Sequence, residues 1–207
     1  ETGLTLAGSF NGQALTGVID NTDGTYTGTY TVSEGDSDIS DGANVTTSIT
    51  LTDAAGNASA ATTVVTLSGE SIDANTPTTP VVTLGALDVV NSTEAVSDLT
   101  YSVTVDASTT TTATLSDGTT TISGTESDGT ITFTSAHVAT LSDATLTMVV
   151  TSTDAAGNIS SASSDSVTLD RSAPTRPAVT LGALDVVNTT EAGNDLTYLV
   201  TVDASTT

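Results

Sequence analysis

The chain has 207 residues, of which 25 are Asp or Glu and only two are basic, for a net charge of −23. Such a chain repels phosphate backbones and anionic lipid surfaces, which leaves nucleic acid out as a partner, while an unpaired acidic surface attracts divalent cations. There is no cysteine for a disulfide or for thiol chemistry, and no stretch reaches the roughly 18 apolar residues of a spanning helix, so no direct membrane insertion is expected.

High charge and few aromatics argue for disorder on composition alone. Against that, 36% of the residues are hydrophobic, and along the chain they recur with period two. No cleavable signal peptide is read in the opening ETGLTL. TYTGTYTV follows at 25–32, with Tyr26, Tyr30 and Val32 predicted to face inward. The acidic stretch SEGDSDISDG (33–42) resembles a calcium loop only superficially. Asp36 and Asp38 fit its first two ligand positions, but the required Gly comes one residue late and no Glu closes it, so it reads as a solvated loop with a weak peripheral cation site as the minor reading. A strand pattern, NVTTSITLTDAAGN, then runs into a turn ending at Asn57.

In LTYSVTV, Leu99, Tyr101, Val103 and Val105 alternate with polar residues, and in ATLTMVVTST, Leu146, Met148 and Val150 do the same. Period two with β-branched polar residues outside marks half-buried antiparallel strands. Asp23-Gly24, Asp41-Gly42, Asp117-Gly118 and Asp128-Gly129 punctuate them as turns. Helical periodicity is brief, around AHVATLSD at 136–143. The fold class is all-β, built of antiparallel β-sandwiches.

The chain also repeats itself. Residues 76–110 and 173–207 are nearly the same, Leu84 recurring 97 residues later as Leu181, and TDAAGN returns after 101 residues, from Asp53 to Asp154. That period suits one sandwich domain. Proline-bearing links, IDANTPTTP (72–80) and LDRSAPTRP (169–177), read as short stiff connectors. They divide the chain into residues 1–75, a sandwich lacking its first strands; 76–172, a complete sandwich; and 173–207, the first strands of a further one. The two partial units are complementary in sequence. The expectation is either a two-domain super-repeat taken at an arbitrary phase, or a tail that completes the head of another chain by strand complementation.

NTDGTYTGTYTV followed by a TDAAGN turn, a strand-end Asp followed by Pro (Asp73 to Pro77, Asp170 to Pro174) and the tandem period together resemble the bacterial Ig-like extender repeats of large calcium-dependent surface adhesins and biofilm-associated proteins. The resemblance implies tandem Ig-like sandwiches in an extracellular stalk that holds a binding tip away from the cell, with Ca2+ stiffening the junctions. No tip-like domain is visible in the sequence. Partners would be neighbouring repeats of the same protein or identical chains.

With Ig-like strand order, TDAAGN is the loop between strands F and G, which shares a pole with the BC loop and the entry linker. Asp73, Asp106, Asp154 and Asn158 would then meet at one junction. Asp170, Asp203, Asp53 and Asn57 form the equivalent set, which meets only if one tail completes another head. Calcium takes six to eight oxygens, which carbonyls and water can help supply. The competing reading is that Asp and Asn sit in turns to cap backbone groups. Asp88, Glu94 and Asp98, with their copies Asp185, Glu191 and Asp195, are read as solubilising charges at the far pole.

No enzyme is expected and no small-molecule substrate. His137 is the single histidine, with neither a zinc ligand set nor a Ser–His pair around it. With no Trp, four Tyr and two Phe, a sugar-gripping cleft is hard to build. The N-x-S/T sequons at Asn44, Asn57, Asn91, Asn158 and Asn188 receive no role. The alternative function is a self-assembling extracellular filament or surface-layer subunit.

Overall fold

The computed structural model describes residues 1–83, 89–181 and 198–202. Alternation of apolar and Thr or Ser side chains gives strands almost throughout. Residues 1–75 carry β1 (Thr5–Phe10), β2 (Gln13–Ala14), β3 (Thr16–Asp20), β4 (Tyr26–Thr29), β5 (Asn44–Thr52) and β6 (Thr62–Thr66). Next come β7 (Val81–Thr83), β8 (Val89–Val90), β9 (Leu99–Thr104), β10 (Thr110–Ser116), β11 (Thr121–Ser127) and β12 (Thr130–Phe133). A single helical turn, α1 (Ser135–Val138), is shorter than AHVATLSD suggested, and β13 (Ala144–Thr153) and β14 (Ser163–Leu169) follow it. Beyond the second proline link, β15 (Ala178–Leu181) and β16 (Tyr198–Thr201) pair antiparallel.

The strands of residues 76–172 are hydrogen-bonded in the order β7-β9-β12-β11-β10-β13-β14-β8. β11 serves two layers. Its first half, Thr121–Gly124, pairs with β10, and its second half, Thr125–Ser127, pairs with β12. One layer is therefore β7, β9, β12 and the end of β11, the A-B-E-D order of an Ig-type sandwich. The other holds β10, β13 and β14 as C, F and G, with β8 added parallel to β14. Leu99, Tyr101, Val103, Ile131 and Phe133 from the first layer meet Leu115, Leu146, Met148, Val150, Val167 and Leu169 from the second in one buried cluster. Tyr101 and Phe133 meet edge to face at 6.1 Å. Every residue predicted inward in LTYSVTV and ATLTMVVTST is buried there, except Val105, which packs on the cluster from its rim.

Residues 1–75 repeat part of this plan. β2-β1-β5-β6 form one sheet, and β3-β4 stand as a separate hairpin. β5 corresponds to β13: Val45 pairs with Val65 as Leu146 pairs with Val167, and Val45 and Leu146 are both fully buried. β1 corresponds to β10, since Thr5 opposes Thr52 as Thr110 opposes Thr153. The hairpin β3-β4 turns at Asp23-Gly24 as β11-β12 turns at Asp128-Gly129. Nothing in residues 1–75 stands where β7 and β9 stand in the neighbouring sandwich. Val32, predicted inward, is exposed, because β4 ends at Thr29 and the chain turns away at Tyr30 to reach Asp36.

Candidate functional site at the interdomain link

Each TDAAGN joins a pair of strands corresponding to F and G, β5 to β6 and β13 to β14, as expected. The aspartate organises the turn. Asp154 Oδ1 accepts the backbone N–H groups of Ala156, Gly157 and Asn158 at 2.8–2.9 Å, and Oδ2 accepts Asn158 Nδ2 at 2.9 Å. Asp53 repeats this with Ala55 N–H, Asn57 N–H and Asn57 Nδ2 at 2.8–2.9 Å. The glycine is required, because Gly56 and Gly157 lie at φ 92° and 96°. The serine of each following sequon closes the motif: Ser59 Oγ accepts Leu51 N–H and Ser160 Oγ accepts Ser152 N–H. The bond from the asparagine side chain is the largest of the donations that hold both aspartates below the usual carboxylate range.

The link between the two units is held from both sides. On the side of residues 76–172, Asn158 Nδ2 also donates to the Asp73 carbonyl at 3.2 Å. Thr78 gives its N–H to Asp106 Oδ2 at 2.6 Å and its hydroxyl to Asp106 Oδ1 at 2.8 Å. These two donations, the backbone one foremost, lower the Asp106 pKa. On the side of residues 1–75, Glu34 accepts Thr76 N–H, while Asp38 Oδ1 accepts Ala74 N–H and Asn75 Nδ2, both at 2.9 Å. Ile39 and Ile72 exchange backbone bonds at 2.8 Å. The loop that presents Glu34 and Asp38 is itself fixed by Asp36, only 9% exposed, which accepts from Gln13 Nε2, Tyr30 OH and Ser33 N–H. Those bonds, Gln13 first, depress the Asp36 pKa.

SEGDSDISDG is therefore a clamp on the linker, where the sequence suggested a solvated loop. The legible signal was its density of acceptors two strands before a link whose non-proline residues carry N–H groups. The second link is anchored in a related way, through an ion pair between Arg171 Nε and Asp143 Oδ1 at 2.6 Å and a bond from Arg171 N–H to the same carboxylate. Neither Asp143 nor the role of Arg171 was read from the sequence.

The calcium candidates are brought together only in part. Asp73, Asp106, Asp154 and Asn158 attend the same link, but Asp154 is occupied by its own turn and Asp106 by Thr78. Asp53 and Asn57 brace the other turn, and Asp170 Oδ1 accepts Ser172 N–H at 2.9 Å. Asp203 lies outside the described residues, as do Asp88, Asp185, Asn188, Glu191 and Asp195. Among the described residues, no three or more His, Cys, Asp or Glu side chains cluster closely enough to hold a metal ion. Of the other charges assigned to the far pole, Glu94 and Asp98 accept the N–H groups of Asn91 and Ser135. His137 is exposed on α1.

No family model matches the chain, and no curated protein matches it. Several solved structures are similar in part, among them the following two. One, reported as structural insight into host cell surface retention of a 1.5-MDa bacterial ice-binding adhesin, is 23% identical over 96% of this chain and 64% of that chain, with a TM-score of 0.35. The other, a tetra-tandem repeat in the extending region of a large adhesion protein, is 16% identical over 99% of this chain and 57% of that one, with a TM-score of 0.34. This chain spans less than two thirds of either, and overlays this loose set no residue of one against a residue of the other.

Proposed function

We propose that this chain is a spacer, a structural extender segment of a large secreted bacterial adhesin that sets distance at the cell surface through tandem sandwiches. The observation that carries the reading is the link at 73–78, gripped by Glu34 and Asp38 from one unit and by Asp106 and Asn158 from the next. A linker whose N–H groups are bonded to both neighbours resists bending where a free one hinges. Proline at 77 and 80 removes further backbone freedom. The repeated turn and the repeated strand set serve the same end, because a spacer gains length by copying one module.

Junctional calcium is a second, separable part of this proposal. The Asp73 carboxylate accepts no hydrogen bond among the described residues and sits on the link itself; a cation there would have to draw Asp106 or Asp154 away from its present donors. Small-angle scattering of the full chain separates the two parts. Replacing Glu34, Asp38 and Asp106 together by Ala is expected to shorten the maximum dimension and broaden the distance distribution. An unchanged profile would refute the clamp. A profile that changes between calcium and chelator in the native chain supports the cation, and an unchanged one removes it from the proposal.

A further inference from the structure

β10 and β13 lie side by side in one layer of the complete sandwich. Ala113 opposes Val150 there and Leu115 opposes Met148, and all four side chains are buried. At the next position of the same alternation, toward the link, Thr111 opposes Ser152. Ser152 is 0% exposed. Both hydroxyl oxygens, Thr111 Oγ1 and Ser152 Oγ, are shut off from solvent and have no hydrogen-bond partner in the protein. Among the described residues no other buried side-chain oxygen or nitrogen is left so.

A buried hydroxyl without a partner is costly, and native folds nearly always supply one. Here both hydroxyls stand at one cross-strand position, which places a shared partner between them. Directly opposed side chains have Cβ atoms about 4.5–5.5 Å apart, a span that one water bridges with two bonds of about 2.8 Å. Ser160 does not fill this role. Its Oγ accepts Ser152 N–H and donates to the Ser161 carbonyl, and Ser59 does the same in the other unit with Leu51 N–H and the Ala60 carbonyl. What differs between the units is the opposed pair itself. In β1 and β5 the corresponding residues are Leu6 and Leu51, also directly opposed. The fold therefore accepts an apolar pair at this place, and strand geometry does not impose hydroxyls on it. Thr and Ser are smaller than two leucines by about three side-chain heavy atoms, a difference on the order of one water at about 30 Å³.

We infer that the sandwich of residues 76–172 binds one structural water between Thr111 Oγ1 and Ser152 Oγ. The water accepts from one hydroxyl and donates to the other, which satisfies both. It ties β10 to the end of β13 two residues before Asp154, the aspartate that shapes the turn from which Asn158 reaches the link. The site belongs to the interior of one sandwich, so it stands apart from the spacer reading.

A high-resolution crystal structure of the full chain is expected to show one ordered oxygen within hydrogen-bond distance of both hydroxyls. In solution, water-to-protein NOE spectra should show a long-lived water at the side chains of residues 111 and 152. Thr111→Val and Ser152→Ala each leave the other hydroxyl and the water short of a bond, so each is expected to lower the folded-to-unfolded ratio by about fivefold or more. The double variant should lose less than the two losses combined, because nothing polar is then left unpaired, and its water signal should vanish. Additive losses overturn the inference, as does a water signal that persists in the double variant. Hydroxyls bonded directly to each other would also be coupled; density showing that bond, with no oxygen between them, overturns it as well. None of these results touches the scattering test of the link.

Discussion

Gly124 sits where β11 passes from one layer of the sandwich to the other, and Gly124→Ala there tests the packing on which the fold rests. A Cβ built on Gly124 would lie 2.8 Å from Ile131 Cγ2 and 2.9 and 3.0 Å from two ring carbons of Phe133. Both neighbours are fully buried at 0% exposure, and neither has solvent to move into. Gly124 does not need a positive φ, so without the clash alanine would stabilise by about 0.4–1 kcal/mol through the unfolded chain. Overpacking costs about 1–3 kcal/mol. The balance is a net loss of roughly 1–2 kcal/mol, and a domain of this size loses about 4–8 °C in melting temperature per kcal/mol. Scanning calorimetry of the full chain should show the transition of residues 76–172 fall by that amount, with the transition of residues 1–75 unmoved. The double variant Gly124→Ala with Phe133→Leu should lose less than the sum of the two single changes, because the smaller side chain vacates the contact. An unchanged or raised melting temperature for Gly124→Ala would refute the steric reasoning and leave chain entropy in charge.

Three further outcomes follow from the hydrogen bonds. Asp117 accepts the N–H groups of Thr119, Thr120 and Ser142, which hold its carboxyl far below the usual range, the Thr120 bond foremost. A depressed folded pKa contributes stability that is present above the unfolded value of about 3.9 and lost as pH falls toward the folded one. The native chain should therefore outlast Asp117→Asn in denaturant at pH 7, with the gap closing only below about pH 4; a constant gap would count against it. Asn158→Ala removes the turn brace and the Asp73 contact, whereas Asn57→Ala removes a brace alone. Hydrogen exchange should then accelerate at the 153–158 turn in the first variant and at the 52–57 turn in the second, with residues around Asp73 responding only to the first. Thermal melts in calcium and in chelator test the junctional cation, which predicts a higher melting temperature in calcium; coincident melts would end that part of the proposal.

Strand periodicity was legible because a sandwich layer has one wet face, so Leu146, Met148 and Val150 alternate visibly with Thr145 and Thr147. Val32 misled for a local reason. The same alternation continues in letters past Thr29, but Tyr30 commits its hydroxyl to Asp36, and the chain leaves the sheet. The position of TDAAGN between F and G was readable from the order of strands alone. The partners of the acidic residues were not, because a carboxylate in a loop gives no sequence sign of which N–H it meets. Glu34 and Asp38 lie roughly 40 residues from the link they hold, and the pairing of Ile39 with Ile72, with Gly35 N–H on the Ala74 carbonyl, brings them there.

That distance explains how a chain with two cations carries so many carboxylates. A carboxylate accepts hydrogen bonds and donates none, and the donors left over in a β-sandwich are the N–H groups of turns and linkers. Asp20, Asp23, Asp53, Asp106, Asp117 and Asp154 each accept at least one backbone N–H group and are held more acidic than usual. The foremost donor is a side chain for Asp23, Asp53 and Asp154 (Thr25, Asn57 and Asn158) and a backbone N–H for Asp20, Asp106 and Asp117. Counter-charge is thus replaced by backbone N–H groups and nearby neutral side-chain donors, while Arg171 ties the second link to Asp143 directly. A carboxylate already used in this way is a poorer ligand for a cation, since the metal must displace several short bonds to reach it. The acids with the fewest donors, Asp73 first among those at the link, are where a cation would have least to displace.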